Sequence, residues 1–408
     1  ITNYPLIASF LILLFFYSSI LKTESYAVAT RHHLATDIGM RVLEEGGNAI
    51  DAAVAVAFAL SVVNPSAGNL GGGGFMLIHL AEKNETLSID YRERAPLKSF
   101  EKMFLDDSGK VIKGLSLNSI LASGVPGTVS GLFYAAEKFG TINIKSLISP
   151  SIELAKKGFI LSAFQANNLN KYKKKFSKNK EAKEIFTRPM GFFEGDILVQ
   201  KNLAKTLERI AQNGKEEFYS GDTAKKIANF FQNNGGILSL KDLNDYHLRI
   251  LKPICGSYRL YEICSMAPPS SGGIALIQIL NILENIDLSK LEHNSEEYLK
   301  ILISAMDYAY SDRAKYLGDP NYFKVPQDLL TSKKYADDIF ELIQEKKSPS
   351  KMNINILEGE ETTHFSIVDK WGNAVSNTYT LNTAFGSGII PLGTGILMNN
   401  EMDDFSSK

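Results

Sequence analysis

Cysteine is nearly absent, and its absence removes two classes of protein. The 408 residues hold two cysteines, Cys255 and Cys264, too few for a disulfide scaffold or a cysteine-built zinc site. One bridge in an oxidising compartment and two free thiols both fit the pair. Histidine is scarce too: six residues, with His32 and His33 adjacent and none at metal-ligand spacing. No metal is expected. Net charge is almost nil, with 44 Lys and Arg against 45 Asp and Glu, so no whole-chain field steers the protein to nucleic acid or anionic lipid. The one dense basic run, Lys171 to Lys183, reads as a solvated helix. A phosphate loop is missing as well. The cluster Gly71-Gly72-Gly73-Gly74 has no Gly-Lys-Ser/Thr after it, and an apolar strand rather than a helix follows. No internal repeat is visible, and no low-complexity linker precedes Gln344.

What is present suits a large folded core. The chain is 44% hydrophobic and 22% charged, a composition outside the disordered range, and its length sets a prior of about two to three domains. Leu6 to Leu21 is almost entirely apolar, followed by Lys22 and the small-x-small run Ser25-Tyr26-Ala27. This reads as a secretory signal, short for a full span, with an uncleaved anchor as the alternative. Either way a secreted or periplasmic protein is expected. Thr36 or Asp37 is placed to cap a helix running to Leu43. The Ala-rich run Asp51 to Leu60 reads as a helix buried on most faces. Ser123-Gly124-Val125-Pro126-Gly127 reads as a turn into a helix ending at Phe139. Ser271 is a plausible cap for the apolar helix Ile274 to Leu283. Asn294 with Glu297 resembles a capping pair for the next helix, which ends near Gly318-Asp319-Pro320. Up to Glu361 the chain reads as one large α/β unit.

Chemistry concentrates at one junction. A polar run, Gln344 to Glu360, gives way at Thr362-Thr363 to the β-branched, apolar Phe365, Ile367 and Val368, which read as a strand. A threonine at such a junction becomes an activated nucleophile if the bond before it is cut. The freed α-amine then supplies the base that its hydroxyl lacks. Two adjacent strand threonines are common and carry nothing alone.

The residues after the pair carry more. The run Thr362-Thr363-His364-Phe365-Ser366-Ile367-Val368-Asp369-Lys370, then Gly372-Asn373-Ala374-Val375, Thr378-Tyr379-Thr380-Leu381-Asn382-Thr383, Phe385-Gly386-Ser387-Gly388 and Asn399-Asn400-Glu401-Met402-Asp403-Asp404-Phe405 resembles the start of the small subunit of γ-glutamyltransferases. Upstream, Tyr91-Arg92-Glu93-Arg94-Ala95-Pro96 resembles the family segment whose arginine holds the α-carboxylate of the glutamyl group.

The resemblance implies an α+β N-terminal nucleophile hydrolase, a four-layer αββα sandwich. It divides the chain into a signal (1–27), a large-subunit region (28–361) and the start of a catalytic small subunit (362–408). It implies Thr362 as nucleophile and Thr380 as its hydrogen-bond partner. Arg92 takes the donor α-carboxylate, and Asp404, Asn382 and Glu401 receive the α-ammonium. The family often has Gln where this chain has Glu401. His364 is expected to pack rather than act as a base. No cofactor is implied. The partners implied are glutathione or another γ-glutamyl compound, an amino-acid, dipeptide or water acceptor, and the two subunits of one precursor. The family continues past the point where Lys408 ends this chain, through Ser-Ser and Gly-Gly pairs that complete the glutamyl pocket and oxyanion hole. The chain is therefore expected to be a partial sequence, inactive alone. A related acylase or an inactive secreted fragment are the competing readings, and reading both poles of a free amino acid disfavours the acylase.

Overall fold

The computed structural model describes residues 25–349 and 362–405. The signal region Leu6 to Leu21, most of the polar run before Thr362, and Glu361 itself lie outside them.

Strand β1 (Ala27–Ala29) leads into helix α1 (His33–Glu44) and helix α2 (Ala49–Val63). Strands β2 (Gly73–Leu80) and β3 (Glu85–Asp90) follow, then helices α3 (Thr128–Phe139), α4 (Ile144–Lys157) and α5 (Lys201–Asn213). Strand β4 (Arg249–Leu251) precedes a hairpin of β5 (Ile254–Tyr258) and β6 (Tyr261–Ser265). Helices α6 (Gly272–Leu283), α7 (Glu296–Tyr316) and α8 (Lys333–Gln344) come next, and β7 (Thr362–Val368) and β8 (Ala374–Thr380) close the order. The content is mixed helix and sheet, the α+β class expected.

The large sheet runs β1-β7-β8-β2-β3-β4, antiparallel throughout. Residues 362–405 are thus no separate body, because their two strands sit in the middle of a sheet whose other strands come from the first 251 residues. Every side chain of α2 is buried, since it lies on the sheet through β7 and β8 and is covered by α1, α3 and α4. An Ala- and Val-rich sequence suits a helix with neighbours on every side. A smaller core forms apart from this one, where Ile282 and Leu283 of α6, Ala305 and Tyr308 of α7, and Ala336 and Ile339 of α8 pack together.

Helix starts differ from the sequence expectation by a few residues. Helix α1 is capped by His32, whose ring nitrogen accepts from the Leu34 amide, so Thr36 and Asp37 lie inside it. Ser295, not Asn294, caps α7. Ser271 makes no capping bond to α6; its hydroxyl accepts from Arg313 instead. The lysine run is three short helices rather than one. Lys175 turns inward and donates to the carbonyls of Ala384 and Gly386. Cys255 and Cys264, opposite each other in the β5–β6 hairpin, are bridged.

One buried carboxylate ties the central hairpin to the core helix. Asp369 is 2% exposed. Its Oδ2 accepts from the Ala49 amide at the start of α2 (2.9 Å) and from Asn373, while Oδ1 accepts from the Trp371 and Asn373 amides. A carboxylate at a helix N-terminus satisfies an otherwise orphaned donor and complements the helix dipole. Asp369→Ala strands several buried donors at once and is expected to destabilise the fold by about 3 kcal/mol, read as a lower urea midpoint at unchanged slope. A loss below about 0.5 kcal/mol would show that water replaces the carboxylate.

Candidate active site

Alternation along β7 sends Thr363, Phe365 and Ile367 into the core and leaves Thr362, His364 and Ser366 on the opposite face. Pairing places Thr362 opposite Thr380, and Thr380 opposite Gly73. Opposed residues in antiparallel strands share a face, so these three positions form one row across three strands. The Thr362 hydroxyl donates to the Thr380 hydroxyl at 3.3 Å. Thr380 Oγ also accepts from the Asn382 amide at 2.9 Å. That bond bends the chain out of β8, and Asn382 takes φ +74°, a left-handed conformation that asparagine tolerates better than most residues.

Where Gly73 lacks a side chain, a carboxylate takes the space. A Cβ at Gly73 would stand 2.5 Å from Glu93 Oε2 and 2.6 Å from the Tyr91 carbonyl oxygen. The Glu93 side chain is 1% exposed, and neither oxygen finds a hydrogen-bond partner in another residue. Arg92 Nε lies 4.0 Å away. Burial pushes the Glu93 carboxyl up to about 7.

Arg92 is held from several sides. Its amide donates to Asp90, its carbonyl accepts from Tyr246, and its guanidinium lies over the Phe75 ring. The guanidinium pairs with Glu401 and, at 2.6 Å, with Asp404. Glu401 is 6% exposed and Asp404 54%. Burial, then the neighbouring Glu93, raises the Glu401 carboxyl well above the usual range. Asn399 and Asn400, both fully buried, fix this acidic turn. Asn399 donates to the Gly71 and Gly124 carbonyls and accepts from the Gly124 and Glu401 amides. Asn400 donates to Leu117 O and Thr383 Oγ1, and its own carbonyl accepts from Asn382 Nδ2 at 3.0 Å.

The six residues named from sequence therefore form two connected groups. Thr362, Thr380 and Asn382 line up at the ends of β7 and β8, and Arg92, Glu401 and Asp404 meet beside them, joined through Asn400. His364 does not pack into the core. It faces outward, its Nδ1 2.7 Å from Thr378 Oγ1 and its Nε2 3.2 Å from Ser366 Oγ, and burial lowers its basicity. Sequence reasoning assigned no role to Glu93, Gly73, Asn399 or Asn400. The signals were in view, inside the quoted motifs, but residue type alone does not show that a glutamate is buried without a partner. A cavity of about 220 Å³ lined by His32, His33, Gln165 and Phe385 includes none of the six. The cluster Cys255, Glu262 and Cys264 has ligand-type atoms close together, but both thiols are spent on the bridge.

Comparison with known proteins gives a consistent set of likenesses. The family profile described as gamma-glutamyltranspeptidase matches residues 35–408. A glutathione hydrolase proenzyme of Escherichia coli (strain K12) is 49% identical over 396 residues, which is 95% of this chain and 68% of that protein. The crystal structure of Helicobacter pylori gamma-glutamyltranspeptidase superposes with a TM-score of 0.77 at 46% identity, covering 82% of this chain and 97% of that one. The cephalosporin acylase of Bacillus halodurans shares the fold at TM-score 0.81 and 27% identity, over 94% of this chain and 71% of that one.

Gly73→Ala sets a methyl against both a carboxylate and a backbone carbonyl, and backbone yields less readily than a side-chain tip. The substitution is expected to cost about 2 kcal/mol, in the range of overpacked cores, measured by urea unfolding. An unchanged midpoint would mean that Glu93 withdraws freely, and would contradict the tight row described here.

Proposed function

The chain belongs to the gamma-glutamyltranspeptidase family, and from that premise we propose a self-processing glutathione hydrolase and γ-glutamyltransferase whose nucleophile is Thr362. The observation that carries the reading is the hydroxyl pair Thr362–Thr380 on one row with an arginine and acidic cluster beside it.

In the precursor, Thr362 Oγ attacks the carbonyl carbon of Glu361. The peptide nitrogen of Thr362 leaves as its own α-amine, and the chain passes through an ester that water hydrolyses. This needs only a hydroxyl held against that carbonyl. The product carries its own base, since the free α-amine takes the hydroxyl proton in the next attack. The Thr380 hydroxyl holds Thr362 in position.

The donor is a γ-glutamyl amide such as glutathione. Thr362 Oγ attacks the γ-carbonyl, the amine leaves with a proton, and a γ-glutamyl ester remains. Water then releases glutamate, or an amino acid or dipeptide takes the glutamyl group, in a ping-pong course. Recognition of the head follows from charge. Arg92 offers a planar fork to the α-carboxylate, while Asp404, Glu401 and Asn382 offer acceptors to the α-ammonium. Arg92 is engaged by Glu401 and Asp404, and a donor's two poles would compete for this same ion-pair cluster. A site that reads both poles suits a free amino-acid head better than the side chain of an acylase substrate.

The same proposal puts the protein outside the cytoplasm. The apolar run Leu6 to Leu21 and the Cys255–Cys264 bridge both fit export to an oxidising compartment. Among the described residues no helix is long and apolar enough to cross a membrane.

Intact mass and N-terminal sequencing of the protein expressed from its complete gene provide the test. A new N-terminus at Thr362 is expected, absent in Thr362→Ala; one uncut chain in both would remove the nucleophile's amine and the mechanism with it. In the processed protein, Arg92→Lys keeps the charge but loses the fork. It is expected to lower kcat/KM for γ-glutamyl-p-nitroanilide about 30-fold, equivalent to ~2 kcal/mol of lost charge-assisted bonding. A loss confined to kcat would place Arg92 elsewhere in the reaction.

A further inference from the structure

Cys255, Glu262 and Cys264 take no part in the mechanism above, yet they bring three ligand-type atoms within 4.8 Å of one another. We propose that they form a zinc site gated by a small thiol. It is closed while the two sulfurs are bridged and takes one Zn2+ once the bridge is opened. The proposal goes beyond the function just given and draws on it only for a reductant, since glutathione belongs to the thiol class required.

Strand alternation builds the site. In the β5–β6 hairpin Cys255 lies opposite Cys264, and Ser257 opposite Glu262. Opposed residues share a face, as do residues two apart along a strand, so both sulfurs and the carboxylate stand on one side. That side is open: Cys255 and Glu262 are exposed and Cys264 is half-buried. The other side rests on α6, where a Cβ at Gly256 would stand 2.7 Å from Ile277 Cγ2. Paired residues from Ile254–Ser265 to Tyr258–Tyr261 hold the register. Opening the bridge therefore uncovers no core and leaves the two thiols facing each other.

The carboxylate is available. Arg259 shares a cleft with Cys255 and Glu262, but its guanidinium lies over the Tyr258 ring and its amide donates to Glu284. Lys333 pairs with Glu284 and donates to the Ser257 carbonyl. Among the described residues no ion pair claims Glu262.

The donor set suits zinc, because two thiolates and a carboxylate match a borderline-soft ion. Zn–S bonds of ~2.3 Å and a Zn–O bond of ~2.1 Å at tetrahedral angles set the ligand atoms ~3.6–3.8 Å apart. Opposed strand positions have Cβ atoms ~4.5–5.5 Å apart, so side-chain rotation alone reaches that spacing. Water completes the four.

The opening step balances. A thiolate attacks one bridged sulfur, the S–S bond breaks, and the other sulfur leaves as a thiolate. A second thiol attacks the mixed disulfide and frees the first sulfur. The protein disulfide is reduced to a dithiol, and two thiols are oxidised to their disulfide. Zn2+ then displaces the two thiol protons to solvent. Zinc binds the dithiol and not the bridge, so by mass action it draws the pair toward the open form.

The test uses the protein expressed from its complete gene. Reduced with a phosphine and freed of it under nitrogen, it is titrated with Zn2+ against 4-(2-pyridylazo)resorcinol. The reduced protein is expected to retain ~1 zinc per chain that the oxidised protein does not. E262A is expected to weaken retention at least ~10-fold, the floor set by losses of outer-shell partners. C255S/C264S is expected to abolish it, with far-ultraviolet circular dichroism reporting the fold. Glutathione is then added to the oxidised protein, with and without Zn2+, and free thiols are trapped with N-ethylmaleimide. Peptide mass mapping is expected to find Cys255 and Cys264 both modified, in a larger fraction when zinc is present. Equal retention by oxidised and reduced protein, or full retention in reduced E262A and C255S/C264S, marks adventitious zinc and overturns the proposal. So does a bridge that glutathione and zinc together leave closed. Neither arm reads catalysis, so the function proposed above stands or falls separately.

Discussion

Strand register decides which side of the sheet carries chemistry. Side chains alternate along a strand, so a slip of one residue in β7 would bury Thr362 and expose Thr363, Phe365 and Ile367. Nothing local prevents it, because threonine occupies both positions. The register is held by what lies under and beyond the strand. Phe365 and Tyr379 meet edge to face under β7 and β8, and each large apolar side chain brought out of water adds roughly 1.5–3 kcal/mol. At the far end, Asp369 fastens the hairpin turn to the first residue of α2. The fully buried helix, the aromatic pair and the turn carboxylate all fix the same alignment, and Thr362 faces Thr380 as a result.

The electrostatics of the cluster run against the usual rule that buried charges come in matched pairs. Here acids outnumber bases, and two of them are nearly sealed from solvent. Such an arrangement costs stability when both acids are ionised, and burial accordingly pushes both carboxyls up, the kind of perturbation that clusters at functional sites. Asn399 and Asn400 show where the compensation lies. Each is fully buried with most of its hydrogen-bonding capacity used, and together they hold Glu401 in a position it would not keep by itself.

Much of this was legible in the chain. The alternation Thr363, Phe365, Ile367 gave the strand and its inward face, and the Ala- and Val-rich run gave the central helix. The colinear motifs from Thr362 to Phe405, with Arg92 upstream, identified the residues that converge. What stayed hidden has physical reasons. The cap of α1 passed to His32 and that of α7 to Ser295 because capping depends on where the backbone turns, and several polar residues nearby were equally qualified. Asn294 itself takes a positive φ, leaving the cap to the next residue. The inward turn of Lys175 depends on carbonyls more than 200 residues away, and no periodicity signals it. Glu93 could not be read as buried, since its space exists only because Gly73 lies across from it on another strand. The pairing of Cys255 with Cys264 needed the hairpin register that sets them opposite each other.

The strand order has a consequence for the cut before Thr362 proposed above. Strand β7 lies between β1 and β8, and β8 lies against β2, so the shorter polypeptide is interleaved with the longer one rather than docked onto it. Among the described residues, separation would require breaking the ladders on both flanks of the inserted hairpin and uncovering α2. A chain cut there as proposed would hold its two pieces together through those ladders. Refolding it from separated pieces would be a bimolecular encounter that depends on protein concentration, whereas folding of the uncut chain is unimolecular.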